Sequence, residues 1–146
     1  MTRLWLAALG AAAVMACGDD SSGGQPNDLF PDVAGVYAVE GEFDDVSPED
    51  LSFSGTVNIE QESLESSILT GTASLVINSA TEDDIVITAA ELQNAAVSLA
   101  GVVAFTVEQG ALSWDFTGER AGDVLEGDHT LTQGSGTMSG TWSGIR

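Results

Sequence analysis

The chain contains no lysine and only three arginines, against 23 aspartates and glutamates, which gives 146 residues a formal net charge of −20. Nucleic-acid binding depends on Lys and Arg side chains that displace counterions from the phosphates. The composition therefore argues against nucleic acid as a partner. The absence of lysine also excludes catalysis through a lysine Schiff base. The length leaves room for one folded domain.

Cysteine and histidine are equally scarce, since Cys17 and His129 are the single residues of their types. One cysteine cannot form a disulfide within the chain, and one residue of each type excludes a Cys/His zinc cluster. The sequence also lacks the Gly-x-Ser-x-Gly motif of a serine nucleophile. We expect no enzymatic activity, no cofactor and no metal site, and we interpret the acidic turns as a solvated surface rather than calcium ligands.

The N-terminal segment has the anatomy of an export signal. Arg3 precedes an apolar run at 4–14, which is too short to span the roughly 30 Å of hydrocarbon in a bilayer. The run ends in Val14-Met15-Ala16-Cys17, which resembles the lipobox of bacterial lipoproteins, although Met15 replaces the usual small residue. The alternative is an ordinary secretory signal followed by an incidental cysteine.

The lipobox resemblance implies that residues 1–16 are a lipoprotein signal peptide and that Cys17 becomes a lipidated N-terminus. The protein would then be anchored in the cell envelope through its lipid. Gly18 stands where inner-membrane retention signals carry aspartate, which favours the outer membrane. Residues 17–32 are rich in Gly, Ser and Asp, a composition typical of a disordered tether, and we expect residues 33–146 to form the folded domain.

Within the folded domain, apolar and polar residues alternate, as in the segment Phe53, Gly55, Val57 and Ile59. This period is typical of antiparallel strands that have one buried face. Glycines recur on the apolar phase, which favours the tight coiling of a closed barrel. We predict an all-β fold, an antiparallel up-and-down barrel of about eight strands, with a β-sandwich as the alternative. The eight strand candidates lie at 33–43, 52–60, 68–78, 83–91, 95–108, 112–119, 122–132 and 136–143.

The segment 89–100 fits two structures. Thr88-Ala89-Ala90-Glu91 matches a helix capping box, and apolar residues follow it at helical spacing. The strongly β sequences on both sides favour instead two strands joined by a turn at Gln93-Asn94. A short helix near 89–100 is the alternative.

Motifs near the two ends of the domain resemble those of lipocalins, in which a Gly-x-Trp on the first strand packs near an arginine that ends the last strand. Gly35-Val36-Tyr37 and Arg146 take these places here, with Tyr37 instead of tryptophan. The resemblance implies a small exported barrel of lipocalin-like shape.

Most aromatic residues of the domain share the inner phase of the strands, and so does His129. Barrels of about eight strands either hold one small ligand or fill completely with side chains. We predict a non-enzymatic binding module for a small apolar ligand, with five site residues: Tyr37, Phe105, Trp114, His129 and Trp142. The alternative is a structural or surface lipoprotein with a solid core, which engages envelope proteins through its acidic exterior.

Overall fold

The structure, a computed structural model, describes residues 29–44, 51–78 and 83–146. They form eight antiparallel strands: β1 Gly35–Phe43, β2 Ser52–Glu60, β3 Thr70–Asn78, β4 Ile85–Val97, β5 Val102–Gln109, β6 Leu112–Ala121, β7 Val124–Gln133 and β8 Gly136–Ile145. Each strand pairs with the next, and β8 pairs with β1, which closes the sheet. The predicted up-and-down barrel is confirmed.

The alternating sequence pattern produces this barrel because successive side chains of a strand point to opposite faces. In β6, the inward residues Leu112, Trp114 and Phe116 are buried, whereas Asp115 and Thr117 between them are exposed. The same alternation runs through the other strands except β4, where it is interrupted by register shifts against β3 and β5. The inward side chains form one continuous apolar core. The described residues contain no helix that is long and apolar enough to cross a membrane.

The barrel has two ends, which we name by their loops. The proximal end carries the chain segment 29–34, the loops at 61–69, 98–101 and 122–123, and Arg146. The distal end carries the last residue of β1, Phe43, and the tight turns at 110–111 and 134–135.

The chain segment before β1 covers the proximal end of the barrel. Val33 is completely buried, and Phe30 packs against the core. The Phe30 amide donates a hydrogen bond to the Leu64 carbonyl at 2.7 Å, and the Val33 amide donates to Gln61 Oε1 at 3.1 Å. Of the predicted tether, only residues 29–32 are described, and they lie on the barrel. The predicted signal peptide and Cys17 lie outside the described residues.

The segment 89–100 departs from the expected turn and from the alternative helix. β4 continues through it to Val97, and the chain reverses at 98–101 instead. The expected turn at Gln93-Asn94 is wrong, because this site is an irregularity within the strand: the β4–β5 register shifts between Gln93 and Ala96. Asn94 has a φ of 51°, and asparagine tolerates such a left-handed backbone whether it lies in a turn or in a bulge.

Candidate functional site

The barrel interior contains a group of seven rings, which we call the ring cluster. Its neighbouring ring centroids lie 4.6 to 6.0 Å apart, in stacked, tilted and edge-to-face arrangements. These are the distances and geometries that aromatic pairs prefer. The members, contributed by six strands, are Phe43, Phe53, Phe105, Trp114, Phe116, His129 and Trp142.

Glycines on the inner face make room for these rings. A Cβ atom on Gly118 would lie 2.8 Å from Cζ2 of Trp142, and one on Gly140 would lie 2.9 Å from Nε2 of His129. A Cβ on Gly41 would meet the ring of Phe53 at 2.3 Å. Such separations are far below van der Waals contact, so these positions require glycine for packing reasons. At these three positions the absence of a side chain leaves space that a ring occupies, whereas a Cβ on Gly55 or Gly127 would meet the backbone of the neighbouring strand.

His129, at the centre of the cluster, is held by two hydrogen bonds. Trp114 Nε1 lies 3.1 Å from His129 Nδ1, and His129 Nε2 lies 2.8 Å from the carbonyl oxygen of Glu42. Because an indole nitrogen can only donate, Nδ1 must be the acceptor. Nε2 therefore carries the proton and donates it to Glu42. The two bonds select one neutral tautomer of the imidazole.

This environment disfavours a charged imidazole. Burial lowers the pKa of His129, and the hydrogen bond to the Glu42 carbonyl and the charges of Asp44 and Asp128 only partly oppose it. A second proton on Nδ1 would also face the N–H of Trp114 and break that hydrogen bond. His129 is therefore a neutral structural group at pH 7 and lacks a free ring nitrogen for acid–base catalysis.

The remaining polar atoms of the interior are also paired. Trp142 Nε1 donates to the Thr117 carbonyl at 3.2 Å. Among the described residues, no buried side-chain nitrogen or oxygen lacks a hydrogen-bond partner. A ligand site usually presents a few polar groups that orient the bound molecule. Here the corresponding groups are already engaged within the protein.

Tyr37 lies nearer the proximal end than the ring cluster. Its hydroxyl donates to the Val33 carbonyl at 2.9 Å and so fastens the chain segment that covers this end. Burial raises the pKa of Tyr37, while the positive charges of Arg146 and Arg120 act in the opposite direction.

Arg146 lies across the start of β1. Its side chain occupies the space where a Cβ of Gly35 would be, at 2.4 Å from Cδ. Its guanidinium donates to the Ala34 carbonyl at 2.8 Å and forms an ion pair with Asp123 at 2.8 Å. Arg146, which follows the last strand, is therefore in contact with Ala34 and Gly35 at the start of the first strand.

All five residues predicted to bind a ligand point into the barrel, with at most 4% of their surface exposed. The structure brings Phe105, Trp114, His129 and Trp142 together in the ring cluster. Tyr37 is absent from the ring contacts of the described residues. Sequence phase assigned all five to the inner face, but phase does not give the height of a residue along the barrel axis.

Phe43, Phe53 and Phe116 belong to the ring cluster but were not among the predicted site residues. Phe53 and Phe116 share the inner phase of their strands, and Phe43 follows Tyr37 by six residues in β1, so it is also in phase. The alternating pattern therefore contained a signal for all three. What it did not contain was the register that places β1 and β2 beside each other at the distal end.

Two regions of the outer surface differ in charge. β1, β6 and β7 carry six exposed carboxylates that we call the acidic wall: Glu40, Glu42, Asp115, Glu119, Glu126 and Asp128. On β2 and β3 the outward residues are mainly Ser, Thr and Asn. We call this second region the neutral wall.

Strand register aligns the carboxylates of the acidic wall in rows. Glu119 on β6 is directly opposite Glu126 on β7, and Glu126 is opposite Ser143 on β8. Ser143 is in turn opposite Glu40 on β1. Like charges directly opposite each other destabilise a sheet. The Glu119–Glu126 pair therefore costs stability in the isolated protein.

Shallow grooves run along both sides of β8 on the acidic wall. The outward residues Thr141 and Ser143 are short, whereas the neighbouring strands carry longer acidic side chains. One groove is lined by Glu40, Glu42, Thr141 and Ser143 among others, and the second by Glu126, Asp128 and the same two β8 residues. Each groove thus combines two carboxylates with hydroxyl groups.

The described residues contain no group of three or more His, Cys, Asp or Glu residues placed to hold a metal ion. No protein-family model matches the chain, and no curated protein or solved structure matches it either.

Proposed function

We propose that this protein is a lipoprotein of the cell envelope, anchored through Cys17 in the outer membrane, whose lipocalin-like barrel binds partner proteins through its acidic wall and catalyses no reaction. The observation that carries the binding proposal is the direct opposition of Glu119 and Glu126. The pair destabilises the free barrel, and a cationic side chain placed between the two carboxylates would offset their repulsion.

The packing of the interior supports an external site. The rings contact one another, and the polar atoms of His129, Trp114 and Trp142 are satisfied within the barrel. A ligand inside would have to displace closely packed side chains and break these hydrogen bonds. The outer wall requires no such rearrangement.

The chemistry of the acidic wall defines the partner. Arginine occurs among the described residues only at the proximal end, as Arg120 and Arg146, and the chain has no lysine. Arg120 is the cation nearest the wall: it lines a groove with Glu119, Glu126 and Asp128, and its Nε donates to the Gly122 carbonyl. One arginine against six carboxylates leaves the wall with an excess of negative charge. Complementary potentials accelerate and orient association. The partner is accordingly a protein segment with basic side chains spaced to reach carboxylates on either side of β8.

The proposal can be tested with a short synthetic peptide of alternating Arg and Ser, whose binding is followed by fluorescence anisotropy. The triple variant Glu40→Gln, Glu119→Gln and Glu126→Gln removes three charges from the acidic wall. We expect its affinity to fall roughly tenfold, which corresponds to about 1.4 kcal/mol of binding free energy. Added salt should weaken the wild-type complex.

The matched control removes three exposed carboxylates that lie outside the wall, by Glu60→Gln, Glu91→Gln and Glu108→Gln. Both triple variants change the net charge equally, so long-range attraction alone would weaken them equally. Binding localised to the acidic wall predicts that the control keeps its affinity. Equal losses in the two variants would reject the wall as a site.

The anchor requires a separate experiment. Mass spectrometry of the protein purified from bacterial membranes should show an N-terminus at Cys17 that carries a diacylglyceryl group and an acyl chain. Cys17→Ser should remain unlipidated and lose membrane association, because the variant has no acyl chains to bury in the bilayer. An unmodified Cys17 in the membrane-derived protein would reject the anchor.

The ring cluster favours one second candidate, an apolar ligand bound among Tyr37, Phe105, Trp114, His129 and Trp142. Aromatic faces line most small-molecule pockets, and the barrel offers a set of them. Binding would separate rings that now contact each other, so the fluorescence of the two buried tryptophans should change and saturate during titration with a fatty acid. An unchanged spectrum would reject this candidate.

A further inference from the structure

We infer that the proximal end of the barrel docks on the lipid bilayer surface, so that the distal end points away from the membrane. The inference rests on the proposed lipid anchor at Cys17. It adds a defined orientation to that anchor and a second contact with the membrane, made by a surface that we call the apolar rim: Leu29, Leu64, Ile68 and Leu99.

The exposed large apolar residues are unevenly distributed over the described part of the chain. Six of eight lie at the proximal end: the four residues of the apolar rim, together with Val36 near the start of β1 and Ile145 at the end of β8. The rim residues are 39% to 68% exposed. The other two, Ile85 and Val86, lie at the start of β4, near the distal end. Apolar side chains that are exposed together at one end of a molecule are candidates for a membrane or partner contact.

Backbone hydrogen bonds hold the rim residues in place. The segment that contains Leu29 is joined to Leu64 through the Phe30 amide. Ile68 bridges to Ala96 of β4, and the Leu99 loop is closed by a hydrogen bond from the Gly101 amide to the Ser98 carbonyl. The rim is therefore largely preorganised, which reduces the conformational entropy lost when it meets another surface.

The route of the chain identifies the bilayer as the occupant of this surface. Leu29 is the first described residue, and eleven residues separate it from Cys17. Even at full extension, eleven residues reach at most about 40 Å. A lipidated Cys17 would therefore hold the rim near the headgroups at a high effective concentration, so a weak intrinsic affinity suffices for docking.

The charges near the rim indicate apolar rather than electrostatic docking. In the segment and loops of this end, the four carboxylates Asp32, Glu62, Glu65 and Asp123 outnumber the two cations Arg120 and Arg146, and Asp123 is paired with Arg146. Negatively charged headgroups would repel such a surface. Docking should therefore be at least as strong on phosphatidylcholine and phosphatidylethanolamine vesicles as on vesicles that contain anionic lipid.

The test uses the full lipidated protein in phosphatidylcholine vesicles. Two variants each carry one fluorescent label at an exposed serine. Ser63→Cys places a bimane fluorophore beside Leu64 at the proximal end, and Ser135→Cys places it in the distal β7–β8 turn. Lipids with a headgroup quencher are then included in the vesicles. We expect quenching at position 63 to be several-fold stronger than at position 135.

Two further variants assign the docking to the rim. Leu64→Ser combined with Leu99→Ser should reduce the quenching at position 63, whereas Val86→Ser should leave it unchanged. Leu99 and Val86 are each 53% exposed, so both substitutions act on surface side chains of equal accessibility. Equal effects of the rim variant and the Val86 control would overturn the rim as the docking surface.

Vesicle flotation separates this inference from the proposed anchor. Flotation with equal quenching at the two positions overturns the docking and leaves the anchor intact. Absence of flotation overturns both. A third outcome concerns a second copy of the chain. If the labels at position 63 quench one another equally in vesicles and in detergent, and the lipid quencher has no effect, the rim binds a second copy and the inference is wrong.

Discussion

The two ends of the barrel are filled differently. Toward the distal end the interior contains the ring cluster, with His129 and two tryptophans that form buried hydrogen bonds. Toward the proximal end the core is mainly aliphatic, with residues such as Val33, Val97 and Leu125, and the polar group buried there is the Tyr37 hydroxyl. The difference shows that the same alternating pattern can fill one end of a barrel with hydrogen-bonded rings and the other end with aliphatic side chains.

Because the ring cluster combines close packing with buried hydrogen bonds, we expect the largest loss of stability from a substitution there. Trp114→Ala should lower the free energy of unfolding by about 3–5 kcal/mol, because it leaves a cavity and removes the hydrogen-bond donor for His129 Nδ1. Leu125→Ala, at an equally buried aliphatic position, should cost about 2–5 kcal/mol and fall below the Trp114 value. Chemical denaturation measures both. A larger loss for Leu125→Ala would contradict the expected order.

An intermediate effect is expected from the titration of His129. Its pKa is lowered in the folded state, so the native protein binds fewer protons than the unfolded chain, whose histidine titrates near 6.5. The stabilisation is therefore fully present above about pH 6.5 and is lost as the pH falls toward the folded-state pKa. Each tenfold difference in proton affinity between the folded and unfolded states corresponds to about 1.4 kcal/mol.

The measurement compares the wild-type protein with His129→Gln between pH 7 and pH 5. Glutamine offers an acceptor and a donor but does not titrate in this range. Carboxylate titration affects both proteins, so the difference in their unfolding free energies isolates the imidazole. We expect this difference to shrink as the pH falls. A constant difference would contradict a neutral buried His129.

The smallest loss of stability is expected from removal of the Tyr37 hydroxyl, the buried polar group of the proximal end. Tyr37→Phe removes the hydrogen bond to the Val33 carbonyl and should cost about 1 kcal/mol of stability. Because burial raises the pKa of this single tyrosine, its absorbance should titrate above pH 10 in the folded protein. A Tyr37 pKa at the ordinary value would contradict its burial. A loss of unfolding free energy in Tyr37→Phe as large as that in Trp114→Ala would contradict the expected difference between the two ends.

The architecture could be predicted because one physical rule governs it. Alternation of apolar and polar residues assigns a face to each side chain, and glycines on the inner face, such as Gly118 and Gly140, indicate close packing inside. The wrong prediction of a turn at Gln93-Asn94 also came from reading local sequence alone. A left-handed asparagine is compatible with both a turn and a bulge, and only pairing with β3 and β5 decides between them.

The interior network could be predicted only in part. Inward orientation follows from local phase, whereas the contact between Trp114 and His129 depends on the β6–β7 register, and the contact between His129 and Glu42 joins residues 87 positions apart. The expectation that Tyr37 belongs with the other four site residues also relied on phase alone. The acidic rows likewise follow from register, although the excess of carboxylates was evident from composition.

The pairing of β1 with β8 has a consequence for the order of assembly. Six residue pairs join these strands, and the partners are about a hundred positions apart in the chain. Bringing such distant segments together carries a large loop-closure cost, so this seam should form late. Until the final strand arrives, β1 and β7 each present an unpaired edge that is open to intermolecular strand pairing. A chain shortened before residue 136 should therefore aggregate even though seven of its strands remain.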